Sequence, residues 1–356
     1  MENGDTKPYR SVLSLQTPRP SVRSVSTRDD IASEASEARY WANSFGLGGA
    51  EIGTKKKKTR AHHRALTLQV GTSSVVHQIT MGQTASSRNY KNPKHNLVAV
   101  ACGPRVPLYG LSPSSSFHKN LESSKDTNVD PDRQVSTNGQ LTTALSLRTD
   151  GRLLAIGTAT GVVRIADVST RATLVQWKSS TTETAIRSVQ WFRNGQHVLS
   201  AGADGVVRVW HLQNAKSPVL ECRGHGDAIR CAKLWQKTDI HALVATGSYD
   251  HTVRLWNVQN LQSEDGNDNR CQSVLDHGAP VEALQWVKSA NPNVPMWLVS
   301  AGGTQLKVWN PASGTSVCSI DAQHRKTITC LLSMPRHDRE NQTIQMRLIT
   351  AGLDGL

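Results

Sequence analysis

The segment Gly224–Val258, GHGDAIRCAKLWQKTDIHALVATGSYDHTVRLWNV, brings a His, a Ser and an Asp into one short stretch. His225, Ser248 and Asp250 are the residue types of a hydrolase: a hydroxyl nucleophile, an imidazole base and a carboxylate that orients the base. Such chemistry also needs an exposed nucleophile, a pocket and donors for a developing oxyanion, and the surrounding sequence supplies none of these. A second group is the run Lys55, Lys56, Lys57 and Lys58, followed by Arg60, His62, His63 and Arg64. Its composition suits a nuclear-localisation signal or an RNA contact, and equally a solvated loop. The Gly-Thr-Lys just before it is not a phosphate-binding loop, because Thr54 separates Gly53 from Lys55 where that motif joins Gly to Lys directly. Six Cys form no C-x-x-C pair, and Cys102, Cys231 and Cys330 sit in apolar runs, so neither a zinc site nor a disulfide framework is expected and the usage suits a reducing compartment. No catalytic centre, metal or cofactor follows from these groups.

Charge and composition narrow the partners. The net charge of +13 is weighted to the front, with 19 Lys and Arg against 11 Asp and Glu in residues 1–140. That balance favours polyanions such as RNA without implying sequence specificity. No apolar run is long enough to span a bilayer, and the opening MENGDTKPYR has no apolar signal-peptide stretch, so a membrane is not an expected partner.

The elements that must hold His225, Ser248 and Asp250 are short. AIRCAKLW, HALVATGS, TVRLWNV and CQSVLDH are β-type runs separated by Asp- and Gly-containing turns. The same unit recurs: GTATGVVRIADV, GADGVVRVWHL, GSYDHTVRLWNV and GGTQLKVWNP align, with Ala166, Trp210, Trp256 and Trp309 spaced by 44, 46 and 53 residues. A further copy begins at LITAGLDGL. Nine Trp against three Phe fit a Trp that recurs at one structural position. Many runs are apolar almost throughout, as when a sheet is covered on both faces. A four-stranded sheet repeated every ~40–45 residues predicts an all-β protein of β-propeller blades. Residues 1–39, rich in Ser, Thr, Arg and Pro, are expected to form a flexible basic arm, and residues 40–356 a propeller with polar insertions near 46–64 and 112–139.

These units resemble WD-repeats, whose blades carry a Gly-His, a turn Asp and a third-strand Trp. The resemblance implies an internal bracing network in place of a catalytic one. His225, Asp250 and Trp256, with Ser248 or Thr246, match best; Asp204 and Trp210, His277 and Trp309, and His324 and Asp354 are partial copies. A buried imidazole needs its nitrogens satisfied, which a turn Asp, a hydroxyl and an indole N–H can do together. Arg164, Arg208, Arg254 and Lys307 recur two residues before the Trp position. A cation whose stem lies along the blade face accounts for them, and a ligand-binding stripe is the sharper reading.

A narrower resemblance rests on order. TKPY, RYWAN, VAVACGPRVPLYG, DGRLLAIGTATGVVRIADV, VLSAGADGVVRVW, TGSYDHTVRLW, DHGAPVEALQW, LVSAGGTQLKVWN and HRKTITCLL follow one another as in the U-three small nucleolar RNA-associated WD-repeat family of the small-subunit processome. The resemblance implies a nucleolar scaffold, not an enzyme, with no small-molecule substrate. It would act in early pre-rRNA processing for 18S rRNA and in rDNA transcription, with other WD-repeat processome subunits and pre-rRNA or its snoRNP as partners. It further leads us to expect five to six blades of a seven-bladed propeller, the last incomplete, with a closing blade and a helical region not reached. The competing reading is a WD-repeat adaptor of another complex, such as a ubiquitin-ligase substrate receptor or a splicing scaffold.

Overall fold

Runs of Val, Ile, Leu and Thr about six residues long, punctuated by Asp, Gly and Asn, become strands because branched side chains pack well on a pleat and the polar residues turn the chain. The computed structural model describes residues 67–68, 76–83, 96–110, 128–129, 133–179, 183–214, 216–237, 242–259, 270–287, 296–338 and 343–354, and among these every regular element is a strand. β1 (Thr67–Leu68) and β5 (Asn128–Val129) make a short parallel pair. The remaining sheets repeat one antiparallel plan.

The first sheet orders β2 (Val76–Gln83), β3 (Asn96–Cys102), β4 (Arg105–Gly110) and β6 (Arg133–Ser136). The second comprises β7 (Thr142–Leu147), β8 (Leu153–Thr158), β9 (Val162–Asp167) and β10 (Thr173–Lys178). The third comprises β11 (Ile186–Trp191), β12 (His197–Gly202), β13 (Val207–His211) and β14 (Leu220–Cys222). The fourth runs β15 (Ile229–Gln236), β16 (Ala242–Ser248), β17 (Thr252–Asn257) and β18 (Cys271–Asp276). The fifth runs β19 (Val281–Val287), β20 (Trp297–Gly302), β21 (Gln305–Asn310) and β22 (Thr315–Asp321), and β23 (Ile328–Asp338) pairs with β24 (Thr343–Gly352). Five four-stranded antiparallel sheets and a two-stranded one make this an all-β fold, its repeated sheets being those expected of β-propeller blades. The polar stretch 112–139 is not all loop: Arg133–Ser136 pairs with β4, with Val135 fully buried. A single apolar residue among polar ones suffices for an outer strand, so the polar composition conceals it.

The strands fall into two compact units. The first holds the described residues up to Val244 and Trp256–Gln272, the second Ala245–Leu255 and Ser273 onward. Within the first unit, alternation of side chains across the pleat explains the continuous apolar runs. Leu154 and Ile156 of β8 join Ala99, Ala101, Val106 and Leu108 of the first sheet in one core. Their neighbours Leu153 and Ala155 join Ile186, Val189, Val198 and Trp210 of the third sheet in another. A third core sets Leu199 and Val209 against Ile229, Val244 and Trp256. In the second unit, Val299, Ala301, Leu306 and Val308 pack with Ile328, Leu331 and Leu348.

One irregularity recurs. β2, β7, β11, β19 and β23 each skip a residue near their start, after Val76, Thr142, Ile186, Val281 and Ile328. A bulge of this kind bends the strand and increases its local twist. At one of them the Thr143 hydroxyl donates to the carbonyls of Gly157 (3.2 Å) and Ile186 (2.5 Å), tying the second sheet to the third.

Candidate functional site

Register decides which residues meet. On β20 and β21, Ser300 pairs with Lys307 and Leu298 with Trp309, so the hydroxyl and the indole lie on one face. Trp309 Nε1 donates to Ser300 Oγ at 2.7 Å, and Ser300 Oγ lies 2.9 Å from His277 Nδ1. His277 Nε2 faces the Gly302 carbonyl at 3.4 Å, so the neutral tautomer with its proton on Nε2 satisfies both nitrogens. Burial pulls the His277 pKa down to about 4, against a smaller upward pull from the Gly302 carbonyl. A Cβ at Gly302 would collide with His277 Cδ2 and Nε2, so this position admits only glycine beside the ring.

The last pair of strands builds a different bracket from the same kinds of residue. His324 Nδ1 lies 3.0 Å from both oxygens of Asp354, and Nε2 lies 2.8 Å from Thr350 Oγ1. Asp354 Oδ2 also accepts the Arg325 amide at 2.7 Å, which fixes the loop entering β23 to the turn after β24. Both side chains are nearly inaccessible, at 1% and 4%.

In the third sheet Trp210 Nε1 donates to Ser200 Oγ at 2.8 Å, with no His in the matching loop TTETAIRSV. Asp204 instead accepts from Arg208 Nη1 at 2.5 Å, and Glu221 accepts from Arg208 Nε at 2.8 Å. In the fourth sheet His225 packs edge-on against Trp256, with centroids 6.0 Å apart. Asp250 accepts from Thr252 N at 2.9 Å and Thr252 Oγ1 at 2.7 Å. Ser248 is fully buried, and its Oγ accepts the Asp250 amide at 3.1 Å. Thr246, also fully buried, holds the sequence position of Ser200 and Thr350, four residues before the turn Asp, and of Ser300, whose turn has Thr304 in place of the Asp.

The recurrent cations do not form one continuous set. Lys307 places its ammonium 5.8 Å from the Trp309 ring centroid and donates to the Asp276 carbonyl at 3.4 Å. Arg208 is consumed by two carboxylates, and Arg164 donates through Nη2 to Gln140 Oε1 at 3.1 Å. Sequence reasoning missed two fourth-strand residues. Trp177 stacks on Trp210 at 5.5 Å and donates through Nε1 to the Asn214 carbonyl at 2.9 Å, and Glu221 completes the Arg208 pair. The repeat alignment stopped at the third strand, where the Trp marks the register; the fourth strands share no residue that would have extended it. Among the described residues no group of three or more His, Cys, Asp and Glu is placed to hold a metal ion. The basic residues Lys55, Lys56, Lys57, Lys58, Arg60 and Arg64 lie outside the described residues, as does the arm over 1–39.

Comparison with known proteins adds two family matches. Residues 63–224 match the nucleolar protein 10-like N-terminal domain, and residues 216–257 match the WD domain, G-beta repeat. U3 small nucleolar RNA-associated protein 15 homolog of Xenopus laevis is 30% identical over 213 residues, which is 57% of this chain and 38% of that protein. U3 small nucleolar RNA-associated protein 15 of Saccharomyces cerevisiae is 30% identical over 264 residues, 74% of this chain and 47% of that protein. Protein SLOW WALKER 1 of Arabidopsis thaliana is 28% identical over 275 residues, 76% and 47% of the two chains. The chain therefore spans less than half the length of these curated relatives. It is a WD-repeat protein with a β-propeller fold, similar over half to three-quarters of its length to U3 small nucleolar RNA-associated protein 15.

Proposed function

We propose that the chain is a scaffold in ribosome biogenesis, acting with the small-subunit processome in the nucleolus. Its His, Ser, Thr, Asp and Trp groups brace sheets and do not turn over a substrate. The observation that carries the non-catalytic reading is the burial of the hydroxyls: Ser248, Thr246 and Ser300 are all inaccessible, and Ser300 is already engaged by Trp309 and His277. A nucleophile must reach its substrate. The names of the similar proteins, U3 small nucleolar RNA-associated protein 15 from a frog and a yeast, support the ribosomal reading. A net charge of +13 suits work beside RNA. In this reading the sheets present surfaces to other WD-repeat subunits and to pre-rRNA or its snoRNP, and early processing toward 18S rRNA depends on the chain. Basic residues Lys55–Lys58, Arg60 and Arg64 serve nuclear entry or RNA contact.

A tagged chain tests this directly. Nucleolar signal, recovery of U3 small nucleolar RNA and pre-rRNA with the tag, and loss of 18S rRNA on depletion are the expected results. Copurification with a ubiquitin ligase or a splicing complex, with 18S rRNA unchanged, would replace this reading with that of an adaptor in another assembly.

A further inference from the structure

Two adjacent sheets of the same unit carry an arginine at one repeat position and treat it differently. Arg208 on β13 has Asp204 four residues earlier in the turn and Glu221 directly across on β14. Both carboxylates bind it, at 2.5 and 2.8 Å. Arg164 on β9 has Thr160 four residues earlier and Gln176 directly across on β10, so neither position supplies a carboxylate. Arg164 is nonetheless only 4% exposed. Its Nη2 donates to Gln140 Oε1 at 3.1 Å, and its Nε is a buried donor with no acceptor among the described residues.

A guanidinium stays charged at any physiological pH. A buried charge without a counter-charge is costly, and an incoming anion that pairs with it removes that cost. The neighbouring sheet supplies the chemistry that fits: planar carboxylates engage the equivalent arginine, Arg208, through Nε and Nη1. A guanidinium fork matches a carboxylate through two parallel hydrogen bonds. The way in is short: Gln176 is exposed, and Thr160 and Gln140 are half-buried.

We propose that Arg164, bordered by Thr160, Gln176 and Gln140, is a docking site for one Asp or Glu side chain of a partner polypeptide. The carboxylate enters at the place that Asp204 and Glu221 take beside Arg208, accepts from Nε, and takes over the Nη2 donor from Gln140. Thr160 and Gln176 leave the position uncharged, so the counter-charge is delivered in trans and binding is selective for an acidic residue. This site goes beyond the ribosomal reading and does not depend on it, since its test uses the purified chain without RNA.

Thermal unfolding of the full chain in sodium acetate, compared with sodium chloride at equal ionic strength and neutral pH, is the first measurement. Acetate is expected to raise the midpoint by a few degrees over chloride, and Arg164→Gln to erase the difference. A short Gly- and Ser-flanked peptide with a single Glu is expected to bind about tenfold more tightly than its Gln counterpart, about 1.4 kcal/mol. Thr160→Asp provides a carboxylate in cis where Asp204 stands, so it should raise the midpoint in chloride and abolish both the acetate response and peptide discrimination. It carries the test alone if Arg164→Gln does not fold. An acetate response equal in wild type and Thr160→Asp, or no acetate response in the wild type, overturns the proposal. A larger response to inorganic phosphate than to acetate, lost in Arg164→Gln, overturns the carboxylate assignment in favour of a phosphate group.

Discussion

Ser300 Oγ stands 2.9 Å from His277 Nδ1 while it accepts a hydrogen bond from the indole N–H of Trp309. The loop before β19 and the strands β20 and β21 are thereby joined through one hydroxyl. The arrangement has a direct consequence for stability against pH. His277 is pulled from 6.5 to about 4 by burial, so the unfolded chain binds a proton that the folded chain refuses between those values. The contribution is fully present above about pH 6.5 and is lost as pH falls toward 4. A shift of this size corresponds to roughly 3 kcal/mol at most. Denaturant unfolding of the wild type should show stability falling across this window, and His277→Asn should flatten the fall. His197, also lowered to about 4 by burial and by its neighbour His211, adds a dependence of the same sign that the variant leaves in place.

Asp354 holds His324 from the turn after β24, with Thr350 on the other ring nitrogen. Asp354→Asn keeps the volume and removes the charge and one of the acceptors. Unfolding free energy should drop by about 1–3 kcal/mol, the cost of leaving a buried donor poorly satisfied. A stability equal to wild type in calorimetry would show that the bracket contributes nothing.

Trp177 contributes to the second sheet's outer strand and stacks on Trp210 of the third. It is fully buried, so truncation removes a large apolar surface together with the ring contact. Trp177→Ala should cost about 3–5 kcal/mol, and Trp177→Phe less, since the ring stacking survives and only the bond to the Asn214 carbonyl is lost. Guanidinium titrations followed by circular dichroism would measure both.

Cysteine reactivity should follow burial. Desolvation raises Cys222 to about 12 and Cys318 to about 11, whereas Cys330 is exposed. Only the thiolate is the nucleophile. Brief alkylation of the native chain with iodoacetamide, read by mass spectrometry, should label Cys330 first and leave Cys222 unmodified until denaturant is added.

Asp204 and Glu221 both bind Arg208, so removing one leaves the other. Asp204→Asn should therefore destabilise by about 1–2 kcal/mol, below the ~3–5 kcal/mol of a buried charge left with no partner. The double variant with Glu221→Gln should lose more than the two single variants together, and a double-mutant cycle measures that coupling.

The strands and their repeat are legible along the chain. Residues such as Leu153–Thr158 and Val162–Asp167 are apolar on both pleat faces, and the turn residues between them are spaced to return the chain every few residues. The repeat also places Trp210, Trp256 and Trp309 at one position. What the sequence could not decide is which partners those positions meet. His277 and His324 look alike as letters, yet one meets a serine and a carbonyl and the other an aspartate and a threonine. Asp204 and Asp250 occupy the same turn position and each accepts the amide two residues on, from Val206 and Thr252, and it took the structure to show that Asp204 also pairs with Arg208. Arg164 and Arg208 match in the alignment, and only the cross-strand register revealed that one faces Glu221 and the other Gln176. Periodicity is local and is written along the chain. Pairing is set by which strands lie side by side and in what register, and by how deeply the packed sheets bury each polar group, so only the tertiary structure could decide it.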